Sequence, residues 1–238
     1  MNHRLTTLCA VTLASLTLLG ATQDVAPGPA APQGGGDKPA RPDRPRRDRA
    51  REAVAPGAKI GEKAPDFTLT GVDGKTYSLK DYAGKMVVLE WVNPGCPVCR
   101  AVMEEGRIGR MIQAVKANYP DAVFLMINSN NPAQNDPKTT ADYLAKHKVD
   151  GIGLIDADGK VGHLYGAKTT PQLFVIDPSG NLRYGGALDD ENEGERSGSA
   201  EPAANYVVKT VQAIKDGKEV SPSTTKSYGC SVKYQRAN

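Results

Sequence analysis

MVVLEWVNPGCPVC occupies residues 86–99, and the rest of the chain can be laid out around it. Residues 86–92 are an apolar run of strand length, which reads as a buried central strand. A short loop follows, and Cys96-Pro97-Val98-Cys99 then opens a segment with apolar residues at Val98, Val102, Ile108, Met111, Ile112 and Val115. That spacing predicts a helix over 97–118, with Gly106 and Gly109 as its weak points. Pro97 falls in the first turn, where a missing N–H costs nothing.

The placement of the two cysteines has a physical reason. The first turn of a helix carries unpaired N–H groups and the positive end of the dipole, and both favour a negative charge. A thiolate is the nucleophilic form of cysteine, so Cys96 is expected to react near neutral pH. Cys99 lies about one turn further on and can close a disulfide or resolve a mixed one. Two alternatives compete. A zinc ribbon needs a second ligand pair, and the remaining candidates in the folded part, Cys230, His147 and His163, are not spaced as ligands. A structural bridge across two residues closes too short a loop to add much stability. A CxxC after a strand, in a βαβ pattern, favours redox chemistry.

Working outward, residues 64–85 alternate and carry a Val-Asp-Gly-Lys turn between Leu69 and Tyr77, which predicts a hairpin. Residues 122–127 read as a second buried strand. A helix is expected over 137–148, a short edge or turn at Leu154-Ile155, and a short helix over 159–165. Residues 173–176 and 182–184 flank the turn sequence DPSGN, a second hairpin. Residues 189–204 read as a surface loop. Residues 205–216 form an amphipathic helix, with Tyr206, Val207, Val211 and Ile214 on one side. The tail from 218 shows no clear element. Such an order gives an α/β protein, a central mixed sheet with helices on both faces.

Several stretches carry a family resemblance. Residues 61–99, GEKAPDFTLTGVDGKTYSLKDYAGKMVVLEWVNPGCPVC, resemble the start of a thioredoxin-like domain of the redoxin, AhpC-TSA and TlpA type. Residues 169–186, TTPQLFVIDPSGNLRYGG, are similar to that superfamily's cis-proline segment and terminal hairpin. The tail TKSYGCSVKY, residues 225–234, resembles the ending of exported redoxin-like proteins. The resemblance covers roughly residues 56–216. It implies a thioredoxin fold and thiol–disulfide exchange, with Cys96 and Cys99 as the active pair.

It also implies further roles. Thr170-Pro171 matches the dipeptide whose proline is cis and faces the active sulfurs, leaving the Thr170 backbone for a bound peptide strand. Glu90, six residues before Cys96, matches a buried carboxylate. Burial would raise its pKa and let it take the Cys99 proton. Trp91 and Thr170-Pro171 would shape the docking surface. Two departures bear on redox poise: Gly95 stands where thioredoxins usually place Trp, and the intervening dipeptide is Pro-Val. Peroxiredoxins carry Thr or Ser three residues before the reactive Cys and Pro seven before it. Asn93 and Leu89 stand there, so a peroxidase would lack its activating hydroxyl.

Composition bounds the remaining options. The chain has 238 residues, a net charge of +3 and four cysteines. Residues 37–52 hold seven basic and four acidic side chains, which accounts for the whole excess. A neutral folded part excludes a nucleic-acid-binding face. No run of eighteen apolar residues spans a membrane. Residues 1–22 read as a signal peptide, with Arg4 before a short apolar stretch and Gly20, Ala21 and Thr22 after it, so the protein is expected in the periplasm or envelope. Cys9 would leave with that segment. Residues 23–55 are rich in Pro, Gly and Arg and read as a disordered linker, able at most to touch an envelope surface weakly. The thioredoxin-like domain is expected over 56–220 and a tail over 221–238.

Cys230 is a possible resolving thiol or an incidental one. A copper carrier would use Cys96, Cys99 and His163, although such carriers space their cysteines by three. No nucleotide or flavin fingerprint is present, so no cofactor is expected. Electrons would come from an unidentified protein donor and pass to or from client protein disulfides.

Overall fold

The computed structural model describes residues 57–131, 135–191 and 203–235. The expected signal peptide and linker, with Cys9, lie outside the described residues, as does most of the loop 189–204. No helix among the described residues is long and apolar enough to cross a membrane.

The chain opens with the expected hairpin. β1 (Thr68–Gly71) and β2 (Thr76–Ser78) are antiparallel, with Leu69 opposite Tyr77. β3 (Val87–Trp91) follows, then α1 (Pro97–Glu104), α2 (Arg107–Asn118), β4 (Val123–Asn128), α3 (Pro137–Lys146) and β5 (Ile152–Ile155). Next come α4 (Lys160–Tyr165), β6 (Thr169–Thr170), β7 (Gln172–Ile176), β8 (Leu182–Gly186), α5 (Tyr206–Lys215) and β9 (Cys230–Ser231). Seven strands form one mixed sheet in the order β2-β1-β5-β4-β3-β7-β8, and β6 and β9 form a separate pair. β3 lies in the interior of the sheet, parallel to β4 and antiparallel to β7.

Strand alternation sorts β3 into two layers. Met86, Val88 and Val92 pack with α1, α2 and α5 on one face, through residues such as Val102, Ile108, Met111 and Val211. Val87, Leu89 and Trp91 pack on the other face with Phe67, Leu79, Val161 and Tyr165. Glu90 has the parity of the first face, the face that also holds Cys96 and Cys99.

Three elements differ from the sequence expectations. The helix expected over 97–118 is two helices, because Gly106 turns left-handed at φ 69°. Its N–H donates to the Met103 carbonyl at 2.9 Å, which closes α1. A Cβ there would force a conformation that only glycine adopts freely. Gly106→Ala is therefore expected to cost about 1 kcal/mol. A urea midpoint unchanged from wild type would contradict this. Residues 152–155 are an interior strand between β1 and β4, where an edge or turn was expected. The tail forms β9 and lies against the domain, where no element was expected.

Candidate active site

Cys96 is the N-cap of α1, in extended conformation, with Pro97 at the first helical position. Its N–H donates to the Asn93 carbonyl at 2.9 Å, and the Gly95 N–H donates to Asn93 Oδ1 at 2.8 Å. These bonds hold the loop between β3 and α1 and set the sulfur at the helix start. The Cys96, Cys99 and Cys230 thiols are all free. Cys96 is only 1% exposed. As a thiol it donates to the Thr170 carbonyl at 3.2 Å. As a thiolate it accepts hydrogen bonds from the Cys99 thiol first and the Cys230 thiol second, which push its pKa down to about 4 against the opposing effect of burial.

Cys99 behaves oppositely. It is completely buried, and burial, with the neighbouring Cys96 sulfur and the Glu90 carboxylate, holds its proton well above the ordinary thiol range. The two environments thus push the sulfurs in opposite directions, one toward the thiolate that attacks disulfides and the other toward the thiol.

A base is close. Glu90 is fully buried, and among the described residues neither carboxyl oxygen has a hydrogen-bond partner. Desolvation alone raises its pKa to about 8. A buried carboxyl without partners is costly to keep in a fold. Its place on the sulfur side of β3, with an affinity for protons near the operating pH, is what proton transfer to and from Cys99 requires.

Thr170-Pro171 is a cis peptide bond. The Thr170 carbonyl lies against Cys96 Sγ. A second cis bond, Ser221-Pro222, had no sequence signal.

Trp91 corrects the sequence reading. It is fully buried and packs edge-on against Phe174 at 5.2 Å, so it does not shape a docking surface. Its odd parity in β3 turns the ring to the layer opposite the sulfurs. There its Nε1 donates to Ser129 Oγ at 2.9 Å, and Ser129 donates to Asp156 at 2.5 Å. Asp156 in turn accepts from the N–H groups of Val161 and Gly162 at the start of α4. The Asp-rich stretch at 156–159 is thus a helix-capping turn.

The largest departure is the tail. β9 pairs antiparallel with β6, Thr170 opposite Cys230 and Thr169 opposite Ser231. Thr170 Oγ1 donates to the Cys230 carbonyl at 3.3 Å, and the Val232 N–H donates to the Lys168 carbonyl at 2.9 Å. Cys230 is half-buried, and its proton is held above the ordinary thiol range mainly by its hydrogen bond to Cys96. Beside the sulfurs a pocket of about 330 Å³ is lined by Asn93, Gly95, Cys96, Asp136, Cys230 and Lys233, among others. The signal that could have found β9 is the alternation of Tyr228, Cys230, Val232 and Tyr234.

Among the described residues, no group of three or more His, Cys, Asp or Glu side chains is placed to hold a metal ion. His163, the third ligand of the copper alternative, stacks on Tyr234 at 4.0 Å.

Residues 60–185 match the family model described as the AhpC/TSA family. The chain is 26% identical over 129 residues to the thiol-disulfide oxidoreductase ResA of Geobacillus thermodenitrificans (strain NG80-2), covering 52% of this chain and 67% of that one. It is 23% identical over 165 residues to peroxiredoxin Bcp of Bacillus subtilis (strain 168), covering 68% of this chain and 98% of that one. Among solved structures, an uncharacterized conserved protein from Geobacillus kaustophilus superimposes with a TM-score of 0.65 at 26% identity, covering 76% of this chain and 94% of that one.

Proposed function

This chain belongs to the AhpC/TSA family and has the thioredoxin fold, and from that premise we propose that it is an exported thiol–disulfide oxidoreductase that exchanges disulfides with client proteins through Cys96 and Cys99. The observation that carries this is the division of labour between the sulfurs. Cys96 stands at the N-cap of α1, where its thiolate is favoured, and Cys99 is completely buried on the side of β3 that holds the buried Glu90, where its thiol is favoured. The match to ResA, a named thiol-disulfide oxidoreductase, supports the same chemistry.

In the reducing direction, Cys96 Sγ attacks one sulfur of a client disulfide. The Cys96–client bond forms, and the client's other sulfur leaves with the electron pair and takes a proton. Cys99 gives its proton to Glu90 and attacks Cys96 Sγ. The Cys96–Cys99 bond forms and the second client sulfur leaves as a thiolate, so the client gains two electrons and the pair loses two. A protein donor returns the pair to its reduced form. Thr170 and Pro171 provide the edge on which a client strand docks. Residues 1–22 would direct export and residues 23–55 would tether the domain in the periplasm or envelope.

The test is insulin reduction with dithiothreitol as electron source. The protein is expected to raise the rate at least about tenfold over dithiothreitol alone, and a rate equal to the reagent alone would overturn the proposal.

A second reading is favoured by the match to peroxiredoxin Bcp over nearly all of that protein's length. Peroxide would then oxidise Cys96, with Cys99 or Cys230 resolving. Asn93 stands at the activating position with its amide already engaged, donating to Asn130 Oδ1 at 3.3 Å and accepting from Gly95. Thiol loss on mixing with hydrogen peroxide is therefore expected to be no faster than for free cysteine in its thiolate form. A rate orders of magnitude faster would replace the first reading with the second.

A further inference from the structure

An enzyme that attacks external disulfides has to show its nucleophile, yet Cys96 is 1% exposed. What covers it includes the chain's own tail. β9 lies on the strand edge formed by Thr169–Thr170, immediately before the cis proline, and pairs there as an added strand would. Its first residue is Cys230, which lies opposite Thr170, the residue whose carbonyl accepts from Cys96 Sγ at 3.2 Å, and lines the same pocket as Cys96.

The seat is built for this segment. Gly229 has φ 108°, and a Cβ on it would lie 2.2 Å from the Thr170 carbonyl oxygen, so only glycine lets the tail approach. On one side Tyr228 donates to Asp189 at 2.8 Å and accepts from Arg107 at 3.0 Å. On the other side Tyr234 donates to the Ala167 carbonyl at 2.7 Å, and a Cβ on Gly162 would lie 2.4 Å from its hydroxyl. Between these two anchors, Cys230 is carried to the active sulfur.

We propose that Cys230 is a third redox-active residue and that β9 is a tethered client, seated where an external client strand would dock. This rests on the reading of Cys96–Cys99 as the exchange pair. In the oxidised protein, Cys230, which lines the open pocket, gives its proton to solvent and attacks Cys96 Sγ. The Cys230–Cys96 bond forms, the Cys96–Cys99 bond breaks, and the electron pair leaves on Cys99 Sγ, which takes a proton from Glu90. Three sulfurs share one disulfide throughout, so no outside oxidant or reductant takes part. The Cys96–Cys230 form clamps the tail in the groove and closes it to clients. The reverse step reopens it.

The test uses full-length Cys99→Ser, treated with glutathione disulfide and mapped by mass spectrometry without reduction. Cys96 first takes up one glutathione and releases the other. Cys230 is then expected to displace the bound glutathione, because a thiol fixed on a packed strand has an effective concentration of millimolar or more. The Cys96–Cys230 bridge should exceed the Cys96–glutathione adduct at least about tenfold. Adding Gly229→Val should reverse that ratio, with the adduct persisting. A persisting adduct in Cys99→Ser itself overturns the role of the tail and leaves the exchange pair standing. If Cys96 takes up no glutathione at all, the exchange chemistry fails and the inference falls with it.

Discussion

Cys96→Ser is expected to lower insulin reduction by about a thousandfold or more, because no other thiol in the site combines a thiolate with a place at a helix start. Cys99→Ser combined with Cys230→Ser, which removes both thiols able to release a client, should differ in kind. Its Cys96 still attacks, since that step needs only the first sulfur, but nothing at position 99 or 230 releases the client. The mixed disulfide should accumulate and appear as a covalent adduct on a non-reducing gel. The pH dependence separates nucleophile from resolver. With its pKa pushed down to about 4, Cys96 is a thiolate across the neutral range. Its alkylation by iodoacetamide should therefore be flat from about pH 6 to 8, where an ordinary thiol gains reactivity steeply. Wild-type turnover in Cys96→Ser, or alkylation that rises like free cysteine, would remove Cys96 from the mechanism. A stabilised thiolate also stabilises the reduced pair, which raises the reduction potential above that of a pair with ordinary thiols.

The path from residues to site was uneven, and the unevenness has physical causes. The apolar run before CPVC, the helix after it and the DPSGN hairpin rest on local periodicity and turn chemistry, so they are visible in a single sequence. Glu90 inside that run was visible for the same reason: a carboxyl flanked by Leu89 and Trp91 has little choice but burial. Trp91 was placed on the wrong side although the information was present. Residues 90 and 91 of one strand must face opposite layers, so if Glu90 faces the sulfurs, Trp91 cannot. β5 was hidden because Ile152–Ile155 is short and broken by Gly153, and its place in the sheet depends on partners far away at β1 and β4. β9 was hidden for a related reason. Its two residues gain their order from β6, from Asp189 and Arg107 around Tyr228, and from α4 under Tyr234, none of which is local in sequence. What sequence reasoning treated as a loose end therefore lies over the reactive sulfur.

Glu90→Gln should change both stability and catalysis, and the signs differ. Unfolded, the carboxyl titrates near its ordinary value of 4.5; folded, burial holds the proton to about pH 8. Between those values the folded state binds more protons than the unfolded one, so stability falls as pH rises. The loss is about 1.4 kcal/mol per pH unit, roughly 5 kcal/mol over the window, and is complete above about pH 8. The clean measurement is urea unfolding of the oxidised protein, where the Cys96 and Cys99 thiols do not titrate and burial remains the cause of the shift. Glutamine has nearly the same shape and no charge, so Glu90→Gln should flatten the dependence between pH 5 and 8 and make the variant the more stable protein at pH 8. If the slope survives the substitution, Glu90 is not its source. Catalysis should move the other way. Without a base for the Cys99 proton, release of the client should slow by about a hundredfold, while attack by Cys96 keeps its rate. The mixed disulfide would then build up transiently in Glu90→Gln, where in Cys99→Ser combined with Cys230→Ser it persists. A variant that is stabilised at pH 8 and still resolves at the wild-type rate would make Glu90 a buried carboxyl with no part in proton transfer.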